Sequence, residues 1–356
     1  MTPDLILNRF RGGDAAFELP DDIPFPSDDP APVLALLAQC PAAGATPLTD
    51  LPGVAEAAGV AQVWAKDERG RMGLGSFKAL GAAHVIARAA ADTGAEDLSQ
   101  ALAGRTYVTA SAGNHGLSVA AGARVFGARA VVYLSDTVPD AFAQRLAAQG
   151  AEVVRAGRDY EASMDAAAHA AAEKGWTLLS DSSWPGYTES PWILMQGYLA
   201  IMAEVADQID AAPTHVVVQG GVGGLAAAVA AATRKTWGDA PKVVVVEPAW
   251  APCIAASLEA GRFTPVTGPV SSMGRLDCKE ASLIALRGLA RDADAAVSLS
   301  DAEVEAALPA LAAQGMATTP SGGAGLALLM NLDRRREALG IDANSRILTF
   351  VTEAPE

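Results

Sequence analysis

The sequence predicts an α/β protein built as two parallel-sheet lobes, and three observations carry that prediction. Short β-branched runs alternate with long alanine-rich stretches through most of the chain, which suits strands buried under helices. The runs fall into two groups: a compact block from about residue 105 to 180, and the remainder, which flanks it on both sides in sequence. A turn-rich connection, SSWPGY from Ser182 to Tyr187, closes the block. The economical arrangement is a small lobe, residues 83–189, inserted into a larger one made of 1–82 and 190–356. Ligands then sit in the cleft between the lobes, at the carboxyl ends of the strands.

Residues 11–34 are rich in Pro, Asp and Gly and read as an irregular arm. After it, the strand candidates are Val63–Asp67 (VWAKD), Thr106–Thr109, Ala130–Leu134, Glu152–Arg155, His215–Gln219, Lys242–Glu247 and Ile347–Val351. Stretches such as Gly81–Ala91 and Gly116–Gly127 have the apolar spacing and alanine content of helices packed on a sheet.

At 356 residues the chain can bury two cores, and a hydrophobic fraction of 51% argues against disorder. A net charge of −15 argues against nucleic acid or anionic lipid as a partner. An anionic ligand must therefore be held by local devices such as backbone N–H groups. No basic-then-apolar leader and no run approaching ~20 uncharged apolar residues is visible, so the expectation is a cytoplasmic protein with no membrane contact. Cys40, Cys253 and Cys278 lack metal-ligand spacing and are expected as free thiols, with no metal site.

Four short stretches carry chemistry. In GLGSFKALG, Gly73 to Gly81, Lys78 stands among small and apolar residues at the start of a helix. Burial there lowers an ammonium pKa and yields a nucleophile able to form a Schiff base, although the same lysine also suits snorkelling from a helix end. In VVVQGGVGGLA, Val216 to Ala226, a strand runs into four glycines and a helix, a cradle for phosphate or simply a tight helix–strand contact. Glu247, at the end of the next strand, sits where a dinucleotide-binding protein grips a ribose. TASAGNHGL, Thr109 to Leu117, also leads from strand to helix. It is either an anion site suited to a small carboxylate or a helix start capped by Ser111 or Asn114. His115 is assigned no chemical role. In TTPSGGAGL, Thr318 to Leu326, the Ser321 hydroxyl stands at a helix start, available to a ring nitrogen or serving as a cap.

An activated lysine, a phosphate cradle, a carboxylate cradle and a serine beside a heterocycle together specify pyridoxal 5'-phosphate and an amino acid. The sequence resembles the fold type II (tryptophan-synthase-β-like) family of pyridoxal-phosphate enzymes from about Thr46 to Glu353, with all four elements in the family's order. The resemblance implies that family's two-lobed architecture with the cofactor in the cleft. It makes Lys78 the Schiff-base lysine and the base for the α-proton, and it places Asn114 at the cofactor's 3-oxygen. Gly220, Gly221, Val222, Gly223 and Gly224 would surround the phosphate, Ser321 would face the pyridine nitrogen, and Ser111, Ala112, Gly113, Asn114 and His115 would receive the substrate. A neutral hydroxyl at the ring nitrogen favours α,β-elimination or replacement over transamination.

Within the family, VWAKDE, DSSWPGY, PWILMQGY and SMGRLDC most resemble the diaminopropionate ammonia-lyases, and by that likeness Asp181 is an acid/base group near the substrate. The implied reaction is β-elimination from a 3-substituted amino acid, with 2,3-diaminopropionate giving pyruvate and ammonia. Two departures bear on the substrate. Ala112 stands where the lyases usually carry an aspartate associated with the D-substrate, and CKEAS (Cys278 to Ser282) replaces their usual Cys-Gly-Glu-Pro. A serine, threonine or other 3-hydroxy-amino-acid dehydratase is therefore an alternative, and a catalytically silent cofactor-binding homologue is the non-enzyme one. The sequence stops just after its last strand, so no regulatory domain is expected; the family's habit implies a homodimer.

Overall fold

In the computed structural model, which describes residues 4–13 and 15–355, the chain forms two sheets joined by helices. Positions 1–3, 14 and 356, which fall in the expected large lobe and the irregular arm, lie outside the described residues. The strands are β1 (Leu5–Leu7), β2 (Leu48–Asp50), β3 (Gln62–Asp67), β4 (Thr106–Ala110), β5 (Arg129–Leu134), β6 (Glu152–Arg155), β7 (Thr177–Leu178), β8 (His215–Gln219), β9 (Lys242–Pro248), β10 (Ala295–Leu299) and β11 (Arg346–Val351). The seven expected runs are β3, β4, β5, β6, β8, β9 and β11.

The larger sheet has the order β1-β10-β9-β8-β11-β3-β2 and the smaller β6-β5-β4-β7. The smaller is parallel throughout. The larger departs from the parallel expectation at both rims, where three-residue β1 and β2 pair antiparallel with β10 and β3. Such short segments cannot form a core strand, but they occupy open rims that would otherwise present unpaired N–H and C=O groups.

The central strands are continuous apolar runs because both faces are covered. Val216 and Val218 of β8 pack with Leu225 and Ala228 of the helix Gly224–Trp237. Val217, pointing the other way, packs with Leu326 and Leu328 of the helix Ala324–Leu329. In the small sheet, Val108 and Val131 pack on Ala167 and Ala170 of the helix Tyr160–Lys174.

The strand order sets the site. From β8 the chain moves outward through β9 and β10, while β11 and β3 lie on the other side, so the loops after β8 and β11 are neighbours at the carboxyl edge. In the small sheet the same reversal occurs at β4, flanked by β5 and β7. The glycine loop follows β8, Glu353 follows β11, the Ser111–His115 loop follows β4 and Asp181 follows β7.

The segment leading to Lys78 is anchored by buried charges. Lys66 of β3 donates to Glu204 at 2.6 Å, the Thr46 carbonyl at 2.7 Å and Gln208 at 2.9 Å. Arg71 pairs with Glu68 at 2.8 Å and Glu204 at 2.6 Å. Two cations and two carboxylates neutralise one another, the condition under which charges tolerate burial.

Candidate active site

Lys78 lies in a single 3-10 turn, Phe77–Leu80, ahead of the helix Gly81–Ala91, so the expected helix start is tighter than an α-helix. Its backbone is held to the end of β11 through the Phe77 N–H, which donates to the Thr352 carbonyl at 3.1 Å. Its ammonium forms an ion pair with Asp181 and lies 5.5 Å from the Phe77 ring centre. Burial does pull this amine down, as the sequence suggests, but the Asp181 carboxylate outweighs it and the net shift is upward. The expectation of a lowered lysine pKa is thus reversed by a partner 103 residues away.

Asp181 is positioned by its turn. The Tyr187 hydroxyl accepts from the Ser180 N–H at 3.0 Å and donates to the Leu178 carbonyl at 2.9 Å, while its ring stacks on Trp184 at 4.3 Å. Ser183 is hydrogen-bonded to Ser282 at 2.7 Å, which ties the turn to the loop carrying Cys278. Burial raises the Asp181 pKa, but Lys78 and then His115 bring it well below the carboxylate range. The Cys278 thiol is pushed up to about 12, first by burial and then by Asp181.

The glycine loop fits a phosphate. Gly223 adopts φ +94°, a region that disfavours side chains, and a Cβ on Gly220 would lie 2.9 Å from Ile254 Cδ1. The 14-residue helix Gly224–Trp237 starts without a side-chain cap, leaving its first N–H groups for an anion. Val222 lies within the same loop, where its carbonyl accepts from the Ser282 N–H at 2.9 Å. Glu247 does not face this space. It is fully buried behind the loop and accepts from the Ile254 and Ala255 N–H groups at 2.8 Å each, which corrects the ribose-gripping alternative. Burial outweighs those donors and raises its pKa to about 8.

In the third element the helix Asn114–Val125 is preceded by Gly113, and Ser111 supports the turn from two residues further back. The Ser111 hydroxyl accepts from the Gly113 N–H at 3.2 Å and the Gly116 N–H at 3.0 Å. Asn114 is therefore inside the helix rather than its cap, and its carboxamide donates to Glu353 at 2.5 Å. Ala112 is exposed. His115 is buried, with Nε2 2.8 Å from the Leu179 carbonyl, a structural tie between the loop and the strand that precedes Asp181.

Ser321 is likewise not a cap. Its hydroxyl accepts from the Arg275 N–H at 3.1 Å, whereas the Gly322 N–H goes to Thr319. Glu353 accepts from Thr319 and Asn114 and pairs with Arg275 Nε at 3.0 Å. Arg275, Cys278 and Glu353 carry no site assignment from sequence reasoning. SMGRLDC was legible only as a landmark, and the available signal for Glu353 was its position at the carboxyl end of a central strand.

A lysine paired with a carboxylate, an uncapped helix start behind a glycine turn, and a serine hydroxyl are groups of the kind that a phosphorylated carbonyl cofactor requires. Residues 40–353 match the family model described as pyridoxal-phosphate dependent enzyme, and the chain belongs to that family. A diaminopropionate ammonia-lyase of Salmonella typhimurium is 30% identical over 354 residues, 90% of this chain and 88% of that protein. The crystal structure of diaminopropionate ammonia lyase from Escherichia coli in complex with D-serine superposes with a TM-score of 0.88 at 26% identity, over 99% of this chain and 93% of that one. An L-threonine ammonia-lyase of Geobacter sulfurreducens is 29% identical over 204 residues, 57% of this chain and 48% of that protein.

Proposed function

We propose that this enzyme eliminates the β-substituent of an L-α-amino acid, acting on 2,3-diaminopropionate to give pyruvate and two ammonia molecules. The observation that carries the proposal is the Lys78–Asp181 pair in the cleft, in a chain similar over nearly its whole length to diaminopropionate ammonia-lyases. When bound, pyridoxal 5'-phosphate supplies a carbonyl for amine attachment and a ring that accepts the electron pair left by the departing α-proton. Gly220, Gly221, Val222, Gly223 and Gly224 would hold its phosphate, Lys78 its carbonyl carbon, Asn114 its 3-oxygen and Ser321 its ring nitrogen. The Ser111–His115 loop receives the substrate carboxylate. Asp181, held ionised beside the Lys78 ammonium, would take the proton that this ammonium must lose and pass it to the leaving β-amine, while the neutral Lys78 amine would accept the α-proton. Water then converts the released enamine to pyruvate and the second ammonia.

The lobes 1–82 with 190–356 and 83–189 supply the cofactor cradle and the substrate loop respectively. The family's habit supports a homodimer, and the composition supports a cytoplasmic location. A second reading, dehydration of serine or threonine, is favoured by Ala112 and by the similarity to an L-threonine ammonia-lyase.

The deciding experiment measures ammonia and 2-oxo acid from L- and D-diaminopropionate, L-serine, L-threonine and 3-hydroxyaspartate with pyridoxal phosphate added. Two ammonia per pyruvate from L-diaminopropionate supports the lyase. Turnover confined to hydroxy amino acids assigns a dehydratase, and an absent cofactor absorbance near ~420 nm rejects the Schiff-base site altogether.

A further inference from the structure

Arg275 touches three of the four sequence elements at once. Its backbone N–H donates to Ser321 at 3.1 Å, its carbonyl lies 3.1 Å from where a Cβ on Gly221 would stand, and its guanidinium Nε pairs with Glu353 at 3.0 Å. The same Nε lies 3.9 Å from the Cβ position of Gly113, the middle of the Ser111–His115 loop. Gly113 has no side chain, so the guanidinium can approach this loop closely. In a chain of net charge −15, a guanidinium brought over a carboxylate-receiving loop answers a specific need for local positive charge.

We propose that Arg275 is a substrate-binding residue that receives the α-carboxylate of the amino acid, exchanging Glu353 for it when substrate enters. This rests on the assignment of Ser111–His115 as the carboxylate loop. Glu353 keeps its bonds from Asn114 and Thr319 during the exchange and so remains compensated. Arg275 offers a planar fork of donors that matches a carboxylate, and the backbone amides of the loop supply the opposite side. Selection for the free acid over its amide follows, because the amide presents no charge to the guanidinium.

The test is equilibrium binding of unreactive L-alanine and L-alaninamide to the holoenzyme, followed by calorimetry and by the cofactor absorbance. Wild type should bind L-alanine more tightly than the amide. Arg275→Gln should lose L-alanine affinity at least about tenfold with amide affinity unchanged within about twofold, while Glu353→Gln should strengthen L-alanine binding by releasing the guanidinium. Arg275→Lys, which keeps the charge, should fall between wild type and Arg275→Gln, and it carries the test if Arg275→Gln does not fold. Equal losses for acid and amide would mean a structural role, and weaker L-alanine binding by Glu353→Gln would overturn the exchange. A wild-type holoenzyme that binds neither ligand would instead overturn the amino-acid site itself.

Discussion

The Lys78 ammonium meets the Asp181 carboxylate across the cleft, one from a 3-10 turn held to β11 and the other from the turn after β7. Each holds the other charged: the lysine pKa is raised and the aspartate pKa depressed. Such a pair titrates as one proton-sharing unit, and in the proposed elimination the two groups would act together as base and acid. The proposed reaction requires the lysine to lose its proton, and the Asp181 carboxylate in contact with it is placed to take that proton.

Asp181→Asn removes the charge that raises the Lys78 pKa, and burial then lowers it. The pH at which pyridoxal phosphate attaches should shift downward, read from the cofactor absorbance as a function of pH. Turnover should fall by about 10²–10⁴ with the acid gone. Lys78→Ala should abolish turnover without disrupting the fold. An unchanged rate in Asp181→Asn would remove the aspartate from the reaction.

Glu204 is the shared partner of Lys66 and Arg71, whose side chains are 0% and 2% exposed. Glu204→Ala leaves two buried cations with one nearby carboxylate, Glu68, and should destabilise the fold by ~3–5 kcal/mol. Because these cations anchor the strand that leads to Lys78, cofactor affinity should weaken as well. Urea denaturation of the apo- and holoenzyme separates the effects, and a stability loss under ~1 kcal/mol would show the cluster to be dispensable.

The parts of the candidate site legible in the sequence are those whose proposed chemistry rests on a local backbone shape. Gly220–Gly224, Ser111–His115 and Lys78 each sit at a strand-to-helix junction whose glycines or position announce it. Asp181 had only turn chemistry of its own and was found through resemblance. Arg275 and Glu353 were not found, because an arginine in a loop and a glutamate after a strand acquire meaning only when the topology brings the ends of β8 and β11 together. The same logic explains Glu247: its place near the end of β9 is visible, but that its carboxylate turns inward onto Ile254 and Ala255 is a property of packing. The rim strands β1 and β2, three residues each, are too short to leave a periodic signal.

Ala112 is exposed within the proposed substrate loop, so a larger acidic side chain can be carried there without burying charge. By resemblance, an aspartate at this position handles the D-substrate. Wild type should accordingly release ammonia from L-diaminopropionate far faster than from the D-form, and Ala112→Asp should raise the D-form rate at least about tenfold. Chiral substrates assayed side by side decide the matter. Equal L and D rates in wild type would dissociate stereochemistry from this residue.

Glu247 ties global stability to pH behind the phosphate cradle. Its folded pKa is raised to about 8, by burial, against an ordinary glutamate value in the unfolded chain. The folded state therefore holds a proton that the unfolded state has released across the window between the two values. Stability from this group is complete below the unfolded value and declines as pH rises toward about 8, after which it levels off. Glu247→Gln fixes the neutral form and keeps one acceptor for the Ile254 and Ala255 N–H groups, so its denaturation midpoint should change less than wild type's between pH 5 and 8. Because the Ile254 side chain borders Gly220 and Gly223, ionisation of Glu247 should also loosen the cradle and lower phosphate affinity at alkaline pH in wild type alone. Parallel stability curves for the two proteins across that window would refute a titrating carboxyl at this position.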